Sequence, residues 1–202
     1  MLFLALACSP ENEIHANNTQ QLVSEEPEYI SSTCLGGTRS SARQVDPEAF
    51  AVELSAKTEP DGTVRDCGGV YASGDSGQAI ESEWSAQDGG SASVLQDAEW
   101  AGCTDVTWSQ RAAHAPAGWT VTMEEAIAIT GTTDTSLFVA TLLSAGSAEA
   151  GRCYFSQTLV DFEPVDPAEP VWVIEAWPPT GAMFQQDVVH ATTGEILGRL
   201  EL

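Results

Sequence analysis

The sequence predicts an α+β fold rich in strand: antiparallel sheet, one or two short helices, and disulfide staples. Three features of the chain carry that expectation. Phe50, Val52, Leu54 and Ala56 alternate with Ala51, Glu53, Ser55 and Lys57, the period of a half-buried strand. Thr122-Met123-Glu124-Glu125 has the form of a capping box at a helix start. Cys34, Cys67, Cys103 and Cys153 are an even, widely spread set without the close C-x-x-C spacing of structural zinc sites.

The chain opens on an uncharged apolar stretch, Met1-Leu2-Phe3-Leu4-Ala5-Leu6-Ala7, that runs into Cys8. It is far shorter than the ~20 apolar residues of a membrane span. Ala5-Leu6-Ala7-Cys8 resembles the lipobox of bacterial lipoprotein signal peptides. The resemblance implies that residues 1–7 are a signal peptide, that Cys8 is the lipidated first residue of the mature chain, and that the lipid holds the protein to a bilayer. An apolar N-terminus with an incidental free cysteine is the plainer alternative. No Lys or Arg precedes the stretch and Ala5 stands where leucine is usual, so residues 1–7 are expected to be a truncated signal peptide. Lipidation of Cys8 also removes the odd member of five cysteines. In an exported chain the other four then read as two disulfides. Of the three connectivities, Cys34–Cys67 with Cys103–Cys153 is preferred, because sequential pairing staples two consecutive segments.

With 202 residues and 43% hydrophobic content, the chain can bury a substantial core in one large domain or two small ones. Thirty acidic residues against seven basic ones give a formal net charge of −23. Such a surface repels phosphate backbones, which excludes nucleic acid as a partner, and favours cations and basic proteins. Residues 8–33 are polar and acidic, with Glu11, Glu13, Glu25, Glu26 and Glu28 and no basic residue. They read as a flexible tether.

Residues 34–118 read as a cysteine-containing, β-rich segment. After the alternating strand at 50–57, Glu59-Pro60-Asp61-Gly62 supplies turn chemistry, and Thr63 to Cys67 reads as the returning strand of a hairpin. Asp46-Pro47-Glu48 offers a helix start as the competing reading; the alternation favours the strand. Gly- and Ser-rich stretches at 73–77 and 88–93 read as loops, and Thr104 to Trp108 as another strand.

Residues 119–202 read as a second, α+β segment. The helix begun at Thr122 continues through Ala126-Ile127-Ala128-Ile129, with Gly131 placed as its C-cap. Strand-like runs follow at 136–143, 152–160, 171–177 and 186–191. Thr192-Thr193-Gly194-Glu195 makes a hairpin turn into a last strand, Ile196 to Leu202. The helix Met123–Ile129, together with Val171-Trp172-Val173-Ile174-Glu175 and Val188-Val189-His190-Ala191-Thr192-Thr193-Gly194-Glu195-Ile196-Leu197-Gly198, resembles the PepSY domain of secreted and membrane-associated bacterial proteins. His190 stands where that domain commonly has aspartate, and Asp161–Pro170 interrupts the strands. The resemblance implies a binding or regulatory module, of the kind found in protease propeptides as inhibitor or folding aid.

Catalytic motifs are sparse. Gly74-Asp75-Ser76-Gly77 and Ala112-Ala113-His114 copy the nucleophile and base segments of trypsin-like proteases. The serine precedes the histidine, Gln78 replaces a glycine, and a triad needs both groups in hydrogen-bond reach. A secreted hydrolase using Ser76 and His114 is the alternative function. His15, His114 and His190 lie far apart, so no metal site or cofactor is expected. Asp61, Asp66, Asp161, Glu163, Asp166 and Glu169 supply the oxygen ligands that calcium takes, which makes a structural or calcium-binding surface protein a third reading. Trp172 and Trp177 lie an odd number of residues apart and fall on opposite faces of one strand, so they do not form a shared carbohydrate platform. The leading expectation is a non-catalytic envelope lipoprotein, on the outer membrane or cell surface, that binds or regulates an envelope protein.

Overall fold

The structure, a computed structural model, describes residues 33–74, 76, 78–85, 87–95, 108–113, 115–150, 159–163, 165–179 and 181–202. Cys8, Cys103, Cys153, His114, the signal segment and all but the last residue of the tether lie outside them. No helix among the described residues is long and apolar enough to cross a membrane.

The elements run α1 (Thr33–Val45), β1 (Phe50–Thr58), β2 (Val64–Ala72), β3 (Ala79–Ser85), β4 (Gly89–Leu95), α2 (Trp108–Ala113), α3 (Met123–Thr130), β5 (Leu137–Ser144), α4 (Ala145–Ala150), β6 (Pro170–Trp177), β7 (Gln185–His190) and β8 (Ile196–Glu201). The strands form one antiparallel eight-stranded sheet in the order β4-β3-β2-β1-β5-β6-β7-β8. The expected α+β, strand-rich class is what the chain adopts, and Cys34–Cys67 is a disulfide with Cα atoms 5.7 Å apart.

That strand order is a palindrome about the β1–β5 seam. Helix α1 followed by the meander β1–β4 makes one unit; α3 followed by β5–β8 makes a second with the same order of principal elements. The residues up to 118 and those beyond it thus contribute four strands each to a single sheet.

Several local expectations are met. β1 starts at Phe50, while Asp46 to Ala49 is a turn in which the Glu48 N–H donates to Asp46 Oδ1 at 2.9 Å. Thr122 caps α3 reciprocally with Glu125, and Gly131 ends it in the left-handed region at φ 70°, where glycine carries no Cβ penalty. Strands β6, β7 and β8 fall where the sequence placed them.

Others are corrected. The stretch 88–93, expected as a loop, is mostly strand β4 at the sheet edge; its glycines and serines suit a position packed against a close helix. Trp108, the one described residue of the expected strand 104–108, opens helix α2 instead. Of the expected strand 152–160 only Leu159 and Val160 are described, and they are irregular. Helix α1 went unread because Gly36, Gly37, Ser40 and Ser41 are poor helix formers. Tertiary contact makes it a helix. It lies over β2, β3 and β4, a Cβ on Gly37 would overlap the Trp84 indole, and one on Gly90 would overlap Ser41. Thr38 Oγ1 and Tyr71 Oη share a 2.9 Å hydrogen bond, and Ser82 Oγ donates to the Thr38 carbonyl at 2.8 Å.

The main core lies on the helix-covered face. Leu54, Tyr71, Ile80, Phe138, Leu142, Trp172 and Ile174 from the strands meet Leu35 of α1 and Met123 and Ala126 of α3. The Trp172 indole N–H is satisfied by the Val121 carbonyl at 2.9 Å, as a buried indole requires.

Candidate functional site

The other face of the sheet is treated differently in the two units. In the second, Leu143, Val171, Val173 and Val188 are covered by Ala145 and Ala148 of α4 and by Leu159, Val160, Phe162 and Val165. Residues 159–163 and Val165 therefore act as a strap. The Val160 N–H donates to Gln186 Oε1 at 2.9 Å and the Glu163 N–H to the Leu197 carbonyl at 3.1 Å. A Cβ on Gly198 would lie 2.7 Å from the Asp161 carbonyl oxygen, so glycine there lets the strap lie close. The strap and α4 occupy the long β5–β6 connection. Its counterpart in the first unit, β1 to β2, is only the turn 59–63, and nothing equivalent is available from it.

The corresponding face of the first unit is a trough of about 680 Å³ that extends across β5 and β6. Register builds it. Ser85, Asp66, Lys57, Val139 and Glu175 stand in one row across five strands, and Ser91, Glu83, Gly68, Ser55 and Thr141 in the next. Gly68 and Ser55 keep the floor low. Lys57 pairs with Asp66 at 3.5 Å, both half exposed, a geometry that contributes little. The Ser85 hydroxyl donates to Asp88 Oδ2 at 3.2 Å. Glu83 is exposed and makes no ion pair among the described residues. At the far end Glu175 is buried and accepts from Gln186 Nε2 at 3.2 Å, while Trp177 forms part of the wall. Beyond Ser55 on β1, Glu53 is paired with Arg111 of α2 at 2.6 Å, both buried.

Trp172 and Trp177 do face opposite ways: one is core, the other trough. The trough escaped sequence reading, because a site spread over six strands has no local motif. The signal present was the polar half of each alternation, Ser55 and Lys57 on β1 and Glu81, Glu83 and Ser85 on β3.

The residues weighed for catalysis are placed as follows. Ser76 sits in the β2–β3 turn, where its hydroxyl hydrogen-bonds Ser73 Oγ at 2.9 Å and Gln78 Oε1 at 3.3 Å. Ser73 in turn donates to the buried Asp46. This chain of bonds ties the turn to the end of α1. His190 is the one histidine among the described residues. Its Nε2 faces Glu169 at 3.3 Å and its Nδ1 accepts the Thr192 N–H at 3.1 Å, so it serves the β7–β8 turn.

The carboxylates weighed for calcium are dispersed. Asp61 Oδ1 accepts the Thr63 N–H at 2.9 Å, a bond that holds its pKa below the usual aspartate value. Asp166 Oδ1 accepts the Ala168 N–H at 2.9 Å. Among the described residues no three His, Cys, Asp or Glu side chains converge as metal ligands would. Comparison with protein-family models, curated proteins and solved structures finds no match.

Proposed function

We propose that this chain is a non-catalytic envelope lipoprotein, anchored through lipid on Cys8, whose folded part binds and regulates a protein partner, a protease among the candidates. The observation that supports a binding role is the trough. The second unit closes this sheet face with its own strap. Among the described residues, the part of that face from Ser55 and Lys57 onward carries no strap in the first unit, although α2 covers the neighbouring Glu53, and it is lined by hydroxyls, carboxylates, one lysine, Val139 and Trp177. An open surface spread over six strands, with polar and apolar lining in similar measure, suits a protein surface better than a small molecule, whose sites are enclosed and mostly apolar. The PepSY-like resemblance of residues 119–202 and the lipobox-like run ending at Cys8 favour the same role and location.

A pull-down with the soluble Cys8→Ser chain from its own envelope extract tests the binding role. A defined partner retained at 0.5 M salt is the expected outcome. Recovery of nothing but basic proteins, all released by that salt, would mean that net charge alone is responsible and would overturn the reading. Detergent-phase partitioning tests the anchor: the native chain should enter the detergent phase and the Cys8→Ser chain should not.

A further inference from the structure

We propose that the trough takes an extended basic segment of the partner protein, laid across the strands as residues 159–163 lie across the second unit. The inference rests on the binding role proposed above and adds the chemistry of what is bound. Two observations carry it. The fold already contains one solution to covering this face, an irregular strap whose backbone N–H groups donate to the Gln186 side chain and the Leu197 carbonyl. In that unit the face is apolar and so is the strap: Leu159, Val160, Phe162 and Val165 against Leu143, Val171, Val173 and Val188.

The first unit presents the opposite character on the same face. Asp66, Glu83, Asp88 and Glu175 line the trough against a single Lys57, so the matching occupant is polar and cationic. The charges are unevenly placed. Asp66, Glu83 and Asp88 gather at the β2–β4 end; at the β5–β6 end Glu175 is buried and held by Gln186, and Val139 and Trp177 line the surface beside it. From β3 to β6 is four strand spacings, about 19 Å, which about six residues of extended chain cover. The occupant thus carries arginine or lysine at one end and an apolar residue at the other. Arginine is the better fit, since its planar fork of donors matches carboxylates.

The test uses a fluorescein-labelled octapeptide with two arginines at one end, leucine at the other, and serine and threonine between. Anisotropy is read at 150 mM salt against four chains. The expected result is saturable binding to the Cys8→Ser chain, weakened at least tenfold by Glu83→Lys or Asp88→Lys. Glu124→Lys on α3, exposed and outside the trough, should change it less than twofold. Circular dichroism confirms that each variant is folded. Equal weakening by all three substitutions, or tighter binding of a peptide with glutamates in place of the arginines, would overturn the inference, as would absence of binding. If the envelope partner of the pull-down binds Glu83→Lys as well as it binds the parent chain, the basic-segment inference fails while the binding role stands. If no partner is captured at all, it is the binding role that fails.

Discussion

Arg199 on β8 donates from Nε to Asp187 Oδ1 on β7 at 2.6 Å and from Nη2 to the Thr130 carbonyl at the end of α3 at 2.7 Å. One guanidinium therefore neutralises a buried carboxylate and satisfies a carbonyl that the helix end leaves open. Gln185 Nε2 holds the other Asp187 oxygen at 2.6 Å, and Thr132 Oγ1 donates to Gln185 Oε1 at 2.7 Å. The hydrogen bond to Asp187 raises the Arg199 pKa above its ordinary value, so the guanidinium stays charged.

Removing one member should show which is the more costly to orphan. Asp187 is 1% exposed, so Arg199→Met should destabilise the chain by about 2–3 kcal/mol in urea denaturation. The value sits at the low end of the range because the arginine side chain is 35% exposed and water screens the pair. Adding Asp187→Asn to Arg199→Met should recover part of that loss, as coupled partners do. Strict additivity would show that the two side chains act independently.

The closeness of α1 to the sheet makes a usually helpful substitution harmful. Ala for Gly inside a helix gains about 1 kcal/mol in propensity. At Gly37 the new methyl would overlap the Trp84 indole, and overpacking typically costs about 1–3 kcal/mol. Gly37→Ala should therefore lower the melting temperature, and Trp84→Leu in the same chain should abolish most of the effect. A Gly37→Ala chain more stable than its parent would mean that α1 stands further from β3.

The Cys34–Cys67 bridge fastens the start of α1 to β2 across a separation of 33 residues. Replacing both cysteines with alanine should cost about 3–4 kcal/mol in the chain-entropy model, and α1 should be the region whose amides lose protection in hydrogen exchange. Peptide mapping of the unreduced protein should return Cys34 joined to Cys67. A fragment joining Cys34 to Cys103 or Cys153 would contradict the pairing.

Ser73 and Ser76 should separate by burial. Ser73 is 7% exposed and bonds the buried Asp46, so Ser73→Ala should cost about 1–2 kcal/mol. Ser76→Ala, in an exposed turn, should cost less than about 0.5 kcal/mol. If the purified chain hydrolysed an ester or peptide substrate and Ser76→Ala abolished this, the non-catalytic reading would fall.

How much of this was legible depended on whether the determining forces were local. α3 was readable to its caps, because Thr122, Glu125 and Gly131 act within a few residues of one another. β1 was readable because in its second half Leu54, Ala56 and Thr58 are buried while Ser55 and Lys57 are not, which imposes alternation; its first half, Ala51 to Leu54, is buried throughout and bulged. α1 and β4 were not, since their glycines and serines are chosen by each other across space: Gly37 for Trp84, Gly90 for Ser41. The trough was the least legible, since Asp66, Lys57 and Glu175 become neighbours only once the register of β2, β1, β5 and β6 is set. The tandem arrangement was hidden for the same reason: it lives in element order and pairing, not in repeated residues.

The palindromic strand order has a kinetic corollary. Every neighbour pair in the sheet joins strands consecutive in the chain, with β1 and β5 the sole exception. The first meander can therefore zip from short loops and the second from short loops and the one longer β5–β6 connection, whereas the seam must wait for a still longer loop to close, with the entropy that this entails. Two hemispheres formed early and a late central suture are the expected folding order, and the trough, which straddles that suture from Asp66 to Glu175, is complete only after the last step.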